Sequence, residues 1–265
     1  NTNGFSVGGA TFVSEGSRTY VAWGWKGGGS ASSNSDGSIT SSVSANTTSG
    51  FSVVVYTGSG SNATVGHGLG VVPKMIWFKD RETSVDWGVY AEPNGNTKEM
   101  YLSTTDEAGT NTGAFNSTTP TSSVFTIGTS SRYNPSSKGV IAYCFADVKG
   151  YTKIGSYTGN GSTDGPFIYV GFRPAWILSK RTDNSSGSEW NVLDTKRDTG
   201  NPASAKIEAN NSDAEENDEM YNILSNGFKI TRGDGNINDS GGTYVYMAFA
   251  ESPFVNSNGV PNNAR

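Results

Sequence analysis

The sequence predicts an all-β protein of tandem β-sandwich, jelly-roll-like modules, and three observations predict it. Glycine takes 35 of 265 positions, Ser, Thr and Asn are abundant, and aromatic residues make up 11%. Turn formers mixed with β-branched and aromatic residues describe strands and turns, and the aromatics argue against disorder. Short apolar runs alternate with polar stretches, and no helical period is sustained. The third observation is a repeat. Tyr56-Thr57-Gly58-x-Gly60 recurs as Tyr157-Thr158-Gly159-x-Gly161, and Gly70-x-x-Pro73 as Gly171-x-x-Pro174, both at an offset of 101 residues. Trp87-x-Val89 recurs as Trp190-x-Val192 at 103. Residues present in both copies are the frame, so residues of one copy alone are the candidates for recognition.

The elements follow in chain order. Thr19-Tyr20-Val21 aligns with Thr243-Tyr244-Val245, so residues 1–26 read as terminal strands of a preceding or shared module, and the chain as a piece of a longer array. Residues 27–49, opening Gly27-Gly28-Gly29, are polar and low in complexity and read as a linker or surface loop. Module one spans residues 50–147. Its strands are Phe51 to Tyr56, alternating with a period of two, then Met75 to Lys79, with Pro73 at the entry where a missing N–H does little harm. Trp87 to Tyr90 and Val124 to Ile127 follow. Val140 to Ala146 is apolar on both faces, as a central strand covered from two sides would be. Module two, residues 148–256, repeats the order with Lys153 to Tyr157, Ala175 to Lys180, Trp190 to Asp194, Phe228 to Thr231 and Tyr244 to Ala250. Helix is expected only at Ser204 to Ile207 or as a capped turn around Asp213 to Met220. Residues 257–265 read as a C-terminal tail.

Composition bounds the partners. Net charge is −5 with no basic run, which argues against nucleic acid. No apolar stretch approaches the roughly 18 residues of a transmembrane helix, so no membrane insertion is expected. Cys144 is the single cysteine, in the most apolar run of module one, and reads as a small buried hydrophobe. With no disulfide framework, stability falls to β-cores and to association of copies, and a homo-oligomer is expected.

Candidate chemistry is sparse. Glycan hydrolysis needs two carboxylates facing each other. The acidic groups at Asp106-Glu107 and at Asp213, Glu215, Glu216, Asp218 and Glu219 occupy similar places in both modules, which assigns them to solvent or structure; no catalytic residue is expected. His67 is the sole histidine, between two glycines, and module two has Ile168-Tyr169-Val170 near that position. It reads as a surface-loop residue outside the frame, and a histidine-based metal site is excluded for want of a second ligand. Asp234-x-Asn236-x-Asn238-Asp239 alternates oxygen side chains but lacks the glycine and glutamate of an EF-hand; calcium is left open, and no other cofactor is expected. Trp87 with Trp190, and Trp25 with Phe145 and Phe249, occupy matching positions and read as core. The module-specific Tyr101, Tyr133, Phe167, Tyr169 and Phe172, with His67, are the ligand candidates, since an exposed ring stacks on the apolar face of a sugar.

Tyr-Thr-Gly-x-Gly, His67-Gly68-Leu69-Gly70-x-x-Pro73-x-Met75-Ile76, Lys79-x-Arg81, Trp87-x-Val89-Tyr90 and the closing Ala248-Phe249-Ala250-Glu251-Ser252-Pro253-Phe254 resemble a repeated module of phage virion structural proteins. These are tail-fibre and appendage proteins of marine and environmental phages. The resemblance covers most of residues 50–256 and the Tyr20 to Lys26 segment. Asp80 interrupts the Lys-x-Arg neighbourhood, and module two lacks the His-Gly-Leu phrase. The resemblance implies a place on the extracellular surface of the virion, other virion proteins as partners, and attachment to a host-surface glycan or protein. Capsid decoration, a head fibre or a tail scaffold is the alternative role, and a glycan-degrading depolymerase the third. It transfers no catalytic residue.

Overall fold

In the computed structural model, which describes residues 4–251, strands form where apolar side chains alternate or run on. Module one contributes β1 (Ser32–Asn34), β2 (Ser41–Asn46), β3 (Phe51–Thr57), β4 (Ala63–Gly66), β5 (Met75–Asp80), β6 (Gly88–Ala91), β7 (Lys98–Tyr101), β8 (Gly109–Thr110), β9 (Val124–Ile127) and β10 (Gly139–Phe145). Its principal sheet runs β1-β2-β3-β10-β5-β6-β7-β8, and β4–β9 forms a separate two-stranded layer. Module two contributes β11 (Thr152–Thr158), β12 (Phe167–Tyr169), β13 (Trp176–Arg181), β14 (Asn191–Asp194), β15 (Ala203–Glu208), β16 (Glu216–Leu224), β17 (Gly227–Ile230) and β18 (Thr243–Phe249), in the order β11-β18-β13-β14-β15-β16-β17-β12. Its far end folds back, because Ile168, Ile223 and Phe228 share one core with Ile177, Leu193 and Tyr246. Each module is thus a two-layer antiparallel sandwich.

The strand apolar on both faces is central in each copy, as expected. β10 lies between β3 and β5, and β18 between β11 and β13. Along β18 the side chains divide by turns: Tyr244, Tyr246 and Ala248 enter the core of module two, while Val245, Met247 and Phe249 enter a third core. That third core joins the modules. Phe51, Met75, Val89, Met100 and Phe145 meet Ile154, Trp176, Leu178, Trp190 and Met247 there. Cys144 is buried, and burial pushes its thiol up to about 12.

The repeated phrase is a stapled turn. Tyr56 Oη donates to Tyr133 O (2.6 Å), and Tyr157 Oη to Ile237 O (2.8 Å). Next to each acceptor stands a buried asparagine. Asn134 Oδ1 accepts from the Ser59 and Gly60 amides, while its Nδ2 donates to Ser61 O and Gly128 O. Asn238 does the same for Asn160, Ser162 and Arg232. A Cβ on Gly58 or Gly159 would lie 2.2 Å from the Pro135 or Asp239 carbonyl, so the chains approach too closely for any side chain.

Four sequence expectations change. Residues 27–49 carry β1 and β2, with Ser41 and Val43 buried and β2 paired along β3; small side chains sit readily in a strand that one neighbour pins. Residues 4–26 form no strand. They hold one helical turn, α1 (Thr11–Ser14), and an extended run whose Trp23 and Trp25 enter the seam, because no described strand lies alongside them. The two sites expected to be helical are β15 and β16. Lys206 on β15 joins Glu208 (2.7 Å) and Glu216 (2.6 Å), and Arg232 joins Asp218, so the charges that suggested a helix are neutralised across the ladder. The tail at 257–265 lies outside the described residues.

Candidate functional site

Two aromatic surfaces stand out. The first is an open groove of about 600 Å³ on the outer face of β3, β5 and β10. Trp77 and Tyr143 form its floor, Trp87 and Trp25 its walls, and Ser103, Asn210 and Asn211 its polar rim. Trp87 stacks on Tyr143 with centroids 6.1 Å apart and ring planes at 23°. Trp77 Nε1 is buried there without a hydrogen-bond partner. Among the described residues, no charged side chain lines this groove.

The second surface is the edge of β12. Ile168 points into the core of module two, so alternation turns Phe167 and Tyr169 outward, where they are 46% and 66% exposed. The Ile230 amide donates to Pro166 O (3.1 Å) and the Val170 amide to Asn226 O (3.0 Å). The main-chain groups of Phe167 and Tyr169 therefore face away from β17, on the terminal strand of the sheet. Module one closes its matching edge. There Ile39 pairs in parallel with Val65 beside β4, and the Ile39 amide donates to Thr64 O (3.0 Å).

The six nominated residues separate. His67 is buried, not on a surface loop: Nδ1 accepts from the Leu69 amide (3.2 Å), which leaves Nε2–H to donate to Thr121 O (3.1 Å). Burial holds its pKa below the usual histidine value, with the Thr121 carbonyl acting against that. The flanking glycines turn the ring inward; Gly68 takes φ +69° with Val43 against it. Tyr133 is buried and donates to Glu99 Oε2 (2.6 Å). Tyr101 is half-buried, donates to Glu99 Oε1 (2.6 Å), and lies under the Arg132 guanidinium at 4.2 Å. Phe172 is buried in the core of module two. Phe167 and Tyr169 alone stay fully on the surface.

Four of the seven acidic residues in the two sequence clusters, Asp106, Glu215, Glu216 and Asp218, are engaged with neighbours. Glu215 meets Arg197, Glu216 meets Lys206, and Asp106 accepts from Thr104 Oγ1 (2.9 Å). In the loop left open for calcium, Asp234 binds Arg232 (2.8 Å), Asp239 binds Arg181 (2.8 Å), and Asn238 is spent on its turn. What the sequence misses is the groove. It places Trp87 and Trp25 in the core beside Trp190 and Phe249, yet Trp190 is fully buried while Trp87 and Trp25 are only half-buried. The difference lies in the covering. Met100 packs in the third core with Trp190, and Tyr101 O accepts from Trp190 Nε1 (2.8 Å); nothing described does this for Trp87.

No curated protein and no solved structure matches the chain. One family does: its sequence profile matches residues 1–253, both modules and the leading segment together. The chain belongs to this family, a domain of unknown function designated DUF7483.

Proposed function

We propose that the chain is a non-enzymatic structural module of a phage virion appendage, and that it attaches to a host-surface glycan or protein through the β12 ledge. One observation carries the reading. Phe167 and Tyr169 are large, exposed, adjacent aromatics on an open edge that the other copy keeps closed. Recognition belongs where the two copies differ, and an aromatic ledge beside free main-chain groups suits a pyranose face or an added strand. A single small ledge binds weakly, and many copies on one particle raise the effective affinity by roughly 10²–10⁴.

The test displays the chain on a multimeric scaffold and measures its binding to host cells and to their isolated envelope polysaccharide. Replacing Phe167 and Tyr169 together by Ala should weaken binding at least about tenfold, some 1.4 kcal/mol or more. Equal binding by the doubly substituted chain would sink the attachment reading. A scaffold role within the virion is the second reading, and the uncharged groove at Trp87 favours it, since an apolar face of that kind fits another folded module.

A further inference from the structure

We infer that the groove at Trp87 is the seat of a third module of the same repeat, and that residues 19–25 are that module's closing strand. The first reason is a triangle. Trp25, Phe145 and Phe249 hold the same place in the aligned closing strands, and their rings meet at the seam at 5.9, 5.8 and 6.1 Å. Three matching residues at near-equal separations mark a pseudo-three-fold axis. Two modules occupy two of its sectors, and Thr19 to Trp25 enters the third.

The second reason is a loop that occurs twice. The Leu102 amide donates to Trp87 O, and the Ala209 amide to Trp190 O, both at 2.9 Å. The Trp87 amide donates to Ser103 Oγ (3.2 Å), and the Trp190 amide to Asn210 Oδ1 (2.7 Å). The loops at 101–106 and 208–213 are therefore equivalent. The first reaches onto the next module: Tyr101 O caps Trp190 Nε1, and Thr105 O accepts from the Ser188 amide (2.8 Å). The second reaches onto the leading segment: Ala209, Asn210 and Asn211 share the wall of the groove with Trp25, and Asp213 lines a second cavity with Thr19, Tyr20 and Val21. Continued round the axis, the third contact is a loop of the missing module laid on the outer face of module one. That face is the groove, and its Trp87 Nε1 has no protein partner among the described residues. The occupant is thus a third module whose counterpart of β7 and the following loop supplies an apolar side chain like Met100 and a main-chain carbonyl like that of Tyr101.

The test places a copy of residues 27–138 directly ahead of Thr19, so that Thr19 to Trp25 can serve as its closing strand. The indole N–H resonance of Trp87 in the original module is assigned by its loss in a Trp87→Phe variant. With a folded third module, that N–H should exchange with solvent at least about tenfold more slowly than in the 265-residue chain. A folded third module with unchanged exchange overturns the inference. If the extended chain does not fold, a peptide of residues 97–110 is titrated into the 265-residue chain instead. Movement of the Trp87 indole resonance supports the seat. No movement at millimolar peptide overturns it, as does movement only with a neutral β-linked oligosaccharide.

Discussion

Lys180 is a buried cation that no carboxylate among the described residues touches. Its Nζ donates to Thr105 O (2.8 Å) in the other module and to Ser188 O. Burial lowers its pKa to about 8, with Glu189 and Asp106 at a distance acting the other way. The unfolded chain holds this proton up to the ordinary lysine value near 10.5. Between pH 8 and about 9 the unfolded state therefore binds more protons, and stability rises with pH; above about pH 9 the unfolded Cys144 thiol ionises while burial keeps the folded one protonated, which offsets the lysine. Above pH 10 the buried tyrosines reverse the trend: burial raises the pKa of Tyr56 and Tyr244, so the unfolded chain ionises first and stability falls. Denaturant unfolding at pH 7, 8 and 9 should show the rise in the native protein and its loss in Lys180→Gln. At this scale the sequence was readable where chemistry is local. Cys144 sits in an apolar run and is buried. His67 was misread because its partners, Thr121 and Leu69, come from a fold that flanking glycines only hint at.

Equal positions in the two modules carry unequal loads. Trp190 and Trp87 immediately precede corresponding strands, but only Trp190 is enclosed by the neighbouring module. Trp190→Ala should cost about 3–5 kcal/mol, as loss of a buried aromatic does, and Trp87→Ala about 1 kcal/mol, because its site is already open. Urea unfolding of both variants checks the difference, and equal losses would contradict it. The ten strands legible in the sequence are those with apolar alternation or apolar runs. β15 and β16 were not, because their charged residues suit a strand only when Lys206 and Arg232 lie across from the carboxylates. β1 and β2 were hidden in serine and asparagine, and β12 is three residues long. Absence from the other copy does not by itself mark a surface residue, since Tyr133 and Phe172 share it and are buried; Phe167 and Tyr169 are exposed because Ile168 between them faces the core.

As a whole, the molecule is less divided than its repeat suggests. The third core draws about equally on both modules, and the Ala108 amide donates across the seam to Thr182 O (2.9 Å). Neither half can unfold without exposing apolar surface of the other. Calorimetry should therefore show one cooperative transition, with calorimetric and van't Hoff enthalpies in agreement; two resolved transitions would refute the shared core. The repeat made the two modules legible but not their packing, since contacts between copies depend on faces that a one-dimensional alignment treats alike.

The asparagine staples also set an order in time. Asn134 closes a turn that lies 75 residues earlier in the chain. At roughly 5–20 residues per second, a ribosome delivers that amide about 4–15 s after the turn itself. During the wait β3 can already pair with β2, made just before it. β11 has no such elder neighbour: it pairs only with β18, and its own staple arrives 78 residues later. What the nascent second half does have is a finished first module, ready to shelter Trp176 and Trp190 as they emerge. The face that joins the modules in the folded protein is thus also a workbench on which the later one is assembled.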